Sequence, residues 1–159
     1  LFPSIYGDII MAKLLTANEK TPGAPSGVTH FKYAELEFME KIPADLMGNA
    51  DTLLKNLQVL RDACGKPITI ISGYRDEARQ ATVNSGVKKS QHMLAAAADI
   101  KVKDMQPKEV VALIEKLIKE NRMTNGGIGC YPDFVHFDVR CSLTKVLPGF
   151  PTVPARWNG

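Results

Sequence analysis

The chain has 159 residues, 45% of them hydrophobic and 23% charged, with a formal net charge of +3. That length suits one compact domain with a real core, and no apolar run approaches the roughly 20 residues needed to span a membrane. The charge is too mild for a nucleic-acid signature, and no basic stripe with interleaved aromatics is present, so no nucleic-acid partner is expected.

The chain starts at Leu1, and Met11-Ala12-Lys13 reads as a more natural start. Neither start shows a basic segment followed by an apolar stretch and a small-residue cleavage site, so no intact signal peptide is visible. Residues 1–28 hold Pro3, Pro22, Gly23, Pro25 and Gly27 and read as an arm or linker, with a single domain over 29–159. Phe31, Ala34, Leu36 and Phe38 predict a short helix. Met47 to Cys64 predicts a longer one: Leu53, Leu54, Leu57, Leu60 and Cys64 form an apolar stripe, ended by Gly65 and Pro67.

Pro67 to Gly73 is β-branched and reads as a strand. Tyr74 to Gly86 is polar and reads as a short helix and a turn, and 87–95 as a loop. Ala96 to Val102 alternates as a strand, with Ala98, Ile100 and Val102 on one face and Ala97, Asp99 and Lys101 on the other. Pro107 opens an amphipathic helix through Val110, Ile114 and Leu117. Ile128–Tyr131 and Phe134–Cys141 predict a hairpin that sets Ile128 against Phe137 and Cys130 against Val135 on the core face. Gly129 and Gly127 then lie opposite His136 and Asp138, leaving open space over the histidine. Pro132 disfavours the usual two-residue hairpin turns, and a slip of one residue would invert the faces. Helices and strands mix without regular β-α-β alternation, so the class is α+β, with a small, mostly antiparallel sheet flanked by helices.

Chemistry concentrates in two places. S-Q-H-M-L-A-A-A-A-D carries His92 and Asp99; Y-P-D-F-V-H-F-D-V-R carries Asp133 and His136. Two imidazoles and a carboxylate give a tetrahedral zinc ion three ligands and leave one position for water, and a further carboxylate can serve as base. Each residue alone has a plainer reading. His92 suits a polar surface loop, Asp133 a turn, and Arg75 a surface ion pair with Asp76 or Glu77. Asp133 lies three residues from His136, on the opposite face of a regular strand, and reaches the histidine only if it stays in the turn. His30 reads as a packing or capping residue, and Trp157 as a core plug. Cys64, Cys130 and Cys141 match neither a disulfide framework nor a C-x-x-C site; they read as free thiols, with a Cys130–Cys141 disulfide left open.

Ile71–Asp76 (I-S-G-Y-R-D), Ser90–Ile100, Gly126–Arg140 and Ala155–Trp157 together resemble the zinc D-alanyl-D-alanine peptidases. That family includes carboxypeptidases, dipeptidases and phage endolysins, and shares its fold with the hedgehog signalling domain. The resemblance implies that His92, Asp99 and His136 bind Zn²⁺ and that Asp133 is the general base. It implies that Arg75 polarises the scissile carbonyl, with Ser90 and Asp138 in support. The expected partner is a peptidoglycan stem peptide, cleaved by a D-Ala-D-Ala carboxypeptidase or an endolysin-like endopeptidase at the bacterial cell wall or periplasm. The family pattern has Gly where this chain has Ala95, a methyl expected to narrow the approach or shift the backbone. The alternative is a weak or inactive module of the same fold that holds zinc or cell-wall peptide without turnover. A cysteine hydrolase pairing Cys130 or Cys141 with His136 is disfavoured, because the strand pattern puts those cysteines on the face away from the histidine.

Overall fold

The computed structural model describes residues 23–159. The expectations for Met11 and for most of the arm lie outside that range. Within it, Ala24 and Val28 of the expected arm are buried in the core.

Helix α1 (Met47–Cys64) buries Leu53, Leu54, Leu57 and Leu60 and stops at Gly65, whose φ of 64° makes the left-handed turn that ends many helices. Its buried Asn49 ties two distant segments to the helix. The amide nitrogen donates to the carbonyls of Leu94 (3.0 Å) and Lys145 (2.9 Å), and Oδ1 accepts from the Thr144 backbone N–H (2.8 Å). Helix α2 (Glu77–Val83) is capped by Asp76, which accepts from the Arg79 N–H. Helix α3 (Pro107–Lys119) starts with proline in its first turn and a Gln106/Glu109 capping box, and buries Val110, Ile114 and Leu117.

The helix expected near residue 31 is reduced to a 3₁₀ turn at Tyr33–Glu35. Backbone groups that a longer helix would need are used elsewhere: Tyr33 N–H donates to the Gly23 carbonyl (2.7 Å), and Leu36 C=O accepts from Tyr74 (2.8 Å). Phe31 and Leu36 are buried all the same, whereas Phe38 is exposed.

Five strands form one sheet: β1 (Ile68–Ser72), β2 (Ala97–Val102), β3 (Gly127–Cys130), β4 (Val135–Asp138) and β5 (Ala155–Asn158). Their spatial order is β1-β2-β4-β3-β5, antiparallel except for the β3–β5 pair. The hairpin keeps its expected register, with Ile128 opposite Phe137 and Gly129 opposite His136. Cys141 falls beyond the end of β4 and is exposed, a correction to its expected place in the core, and all three cysteines are free thiols. Ala98, Ile100, Ile128, Val135 and Phe137 build the core face.

The opposite face carries the polar residues, aligned in one row across the sheet. Ser72 pairs with Asp99, Asp99 with His136, His136 with Gly129, and Gly129 with Trp157. A β-bulge between Ile70 and Ser72 brings Ser72, rather than Ile71, opposite Asp99. Without that extra residue the row would begin with an isoleucine.

Candidate metal centre

The site grows from that row. Strand alternation points Asp99 and His136 from adjacent strands toward the same side. His92 arrives from outside the sheet, on a 3₁₀ turn at Gln91–Leu94 that Ser90 caps by accepting from the His92 N–H (3.3 Å). The three are buried together, each offering a ligand atom within 4.8 Å of the others. His92 Nε2 lies 3.3 Å and His136 Nδ1 3.1 Å from Asp99 Oδ1. A tetrahedral zinc ion with metal–ligand distances of about 2.0–2.1 Å needs its ligand atoms about 3.3 Å apart, so the spacing fits.

The far sides of both rings are fixed as well. His92 Nδ1–H donates to the Gly73 carbonyl (2.7 Å), leaving Nε2 bare toward Asp99. His136 Nε2–H donates to Asp138 Oδ2 (2.8 Å), leaving Nδ1 bare. Such partners select the tautomer that a metal requires. Asp138 is fully buried and also accepts from Gly127 N–H (2.9 Å) and from the Arg140 guanidinium at Nε (2.8 Å) and Nη2 (2.7 Å). Asp99 Oδ2 accepts from Arg75 Nη2 (3.2 Å). Arg75 is itself braced by Ser72 Oγ and Gln80 Oε1, so it forms no surface pair with Asp76 or Glu77.

The electrostatics follow from burial set against partners. Burial pushes the Asp99 and Asp138 carboxyls up, but the adjoining His136 and His92 rings at Asp99, and hydrogen bonds from Arg140 and His136 to Asp138, outweigh it. Both are held well below the usual carboxylate range. Burial lowers His92 further than Asp99 can restore, favouring the neutral ring. At His136 burial also pulls down, yet the neighbouring Asp138 and Asp99 carboxylates win and raise it. Burial lowers Arg75 despite the opposing charge of Asp99.

A cleft of about 490 Å³ opens over the three residues. Arg75, Gln80, Tyr131, Phe134, Arg140 and Trp157 are among its walls, with exposed Val83 and Val87 at its margin. Asp133 is not brought to it. That residue is exposed in the β3–β4 turn and lines a separate depression with Ile100, Val102 and Val110. The turn keeps the hairpin register, so the three-residue separation leaves Asp133 away from His136. Among the described residues, Asp99 is the only carboxylate that lines the cleft. The space expected over the glycines is filled. A Cβ at Gly129 would meet the Trp157 indole at 2.5 Å, and one at Gly127 would overlap Asp138. Trp157 is a partly buried wall residue, its ring centroid 5.0 Å from that of His136. His30 lies elsewhere, bonded to Thr29 and Gln58. Tyr131, Gln80 and Arg140 carried no role in the sequence reading. Tyr131 and Arg140 sat inside a quoted motif, but nothing local marked which way they face.

Ala95 ends the 3₁₀ turn in the left-handed region, at φ 53°. That conformation is why glycine suits the position. Its methyl is buried in the core cluster and is no part of the cleft wall, so it does not narrow the approach.

The model of the family described as Peptidase M15 matches residues 29–138, well over half of the chain. The chain belongs to the Peptidase M15 family, whose members are zinc-dependent metallopeptidases. Among solved structures it is similar to the L-Ala D-Glu endopeptidase ChiX of Serratia marcescens, at 16% identity and a TM-score of 0.43, covering 71% of this chain and 92% of that one. No curated protein matches it in sequence.

Proposed function

We propose that this protein is a zinc-dependent peptidase that hydrolyses peptide bonds of bacterial peptidoglycan stem peptides. The observation that carries the reading is the convergence of His92 Nε2, Asp99 Oδ1 and His136 Nδ1, with both rings fixed from behind. These three residues would hold the ion. When bound, zinc supplies a Lewis acid that acidifies water and polarises a carbonyl. Arg75 secures the second oxygen of Asp99, and among the described residues its Nη1 bonds Gln80 alone, which leaves one N–H for a substrate carbonyl. Lys89, Arg75 and Arg140 give the cleft a cationic lining suited to the carboxylates of an acidic stem peptide. Cleavage at a terminal D-Ala-D-Ala bond and cleavage inside the stem are both compatible with an open cleft.

One observation favours a second reading, a module that holds zinc and cell-wall peptide without turnover: among the described residues no carboxylate other than Asp99 lines the cleft. A single experiment separates the two. Zinc-loaded protein is incubated with peptidoglycan, and new amines are counted with and without a chelator. Chelator-sensitive release supports the peptidase. His136→Ala is expected to abolish both release and zinc retention; an active, metal-free His136→Ala protein would refute the assignment.

A further inference from the structure

Peptide hydrolysis builds negative charge on the carbonyl oxygen, and a donor already aimed at that oxygen lowers the barrier. With Asp133 outside the cleft, the charged and imidazole donors in its walls can be taken in turn. Both nitrogens of His92 and of His136 are committed. Lys89 Nζ donates to the Pro148 carbonyl (2.7 Å). Arg140 is held against Asp138 through Nε and Nη2, which ties its guanidinium to the carboxylate and leaves Nη1 open among the described residues. Arg75 spends its Nε and Nη2 on Ser72 and Asp99 and part of its Nη1 on Gln80.

Tyr131 differs. Its hydroxyl accepts the Trp157 Nε1–H (3.0 Å), and its own hydrogen has no acceptor among the described residues. The ring is held flat against Phe134, with centroids 4.4 Å apart and planes 9° apart. Trp157 in turn lies against His136, so the hydroxyl stands on the wall beside the metal centre. Accepting one hydrogen bond polarises an O–H and makes it a better donor.

We propose that the Tyr131 hydroxyl is a catalytic hydrogen-bond donor to the carbonyl oxygen of the scissile peptide, with Trp157 as its positioning residue. The proposal rests on the peptidase reading. The water oxygen bonds to the carbonyl carbon, the C–N bond breaks, and the amine leaves with a proton from that water; Tyr131 keeps its own proton throughout. Its contribution is to hold the oxygen as charge develops there, as the loss of a single such donor typically costs about 10²–10³ in kcat.

Tyr131→Phe tests this, because it removes one oxygen atom and keeps the ring stacked on Phe134. The variant is expected to hold zinc at the wild-type stoichiometry and keep KM within about twofold, while kcat falls about a hundredfold. A second readout does not depend on turnover. Zinc-loaded wild-type protein and Tyr131→Phe are titrated calorimetrically with acetohydroxamate, whose oxygens mimic a charged carbonyl oxygen, and the variant is expected to bind about tenfold more weakly. Equal kcat or equal acetohydroxamate affinity overturns the role of Tyr131 and leaves the peptidase reading standing. Wild-type protein that takes up no zinc overturns both.

Discussion

Asp138 is wholly enclosed, yet Gly127, Arg140 and His136 all donate to it. A buried carboxylate is tolerated only when so satisfied. Its link to the cleft is the His136 Nε2–H bond, which orients the ring. Asp138→Asn keeps the shape and removes the charge, so zinc affinity is expected to fall about 10–100-fold, read by competition with a chromogenic chelator; unchanged affinity would show that the carboxylate does not tune His136. Asp133 makes the converse case. Exposed and turned to another depression, it is expected to be dispensable. Asp133→Ala should keep its zinc and its rate of amine release within about twofold, near the null range for surface substitutions. A hundredfold loss of rate would return it to the reaction.

At the scale of elements, the left-handed turn at Ala95 sets His92 at its depth. The left-handed conformation costs a non-glycine residue about 1–2 kcal/mol. Replacing Ala95 by Gly removes that cost, but forfeits a buried methyl worth about 0.8 kcal/mol and adds about 0.5–1 kcal/mol of chain entropy. The effects nearly cancel, so Ala95→Gly is expected to leave stability within about 1 kcal/mol of wild type in urea unfolding, with zinc affinity unchanged. A large gain would mean that the turn is more strained than its φ indicates. The same scale explains what could be read in advance. Strict alternation in Val135–Asp138 and Ala97–Val102 announced the faces and the hairpin register, because one face had to be apolar. Strand β5 was quoted only as a motif, since a four-residue strand paired in parallel to a distant partner has no local signature. The bulge at Ile71 was equally invisible: I-T-I-I-S alternates imperfectly, and only pairing with β2 decides which residue is skipped. The facing of Tyr131 was lost for a related reason, because it depends on β5 supplying Trp157.

For the whole molecule, the ion would act as a cross-link between β2, β4 and the loop before β2. A ligand that binds only the folded state stabilises it by mass action, about 2.7 kcal/mol when its free concentration is a hundred times its Kd. For a chain of this size that corresponds to about 5–10 °C in Tm. Chelation is therefore expected to lower Tm by that amount, and readdition of zinc to restore it, by differential scanning calorimetry; a Tm indifferent to chelator would mean that the three residues bind no ion tightly. Among the described residues no helix is long and apolar enough to cross a membrane.

The row running from Ser72 through Asp99, His136 and Gly129 to Trp157 draws on every strand of the sheet. Its last member belongs to residues 155–158, which slot in beside β3 only after the other four strands have been translated. A chain in which those residues have yet to dock lacks Trp157, one wall of its own cleft.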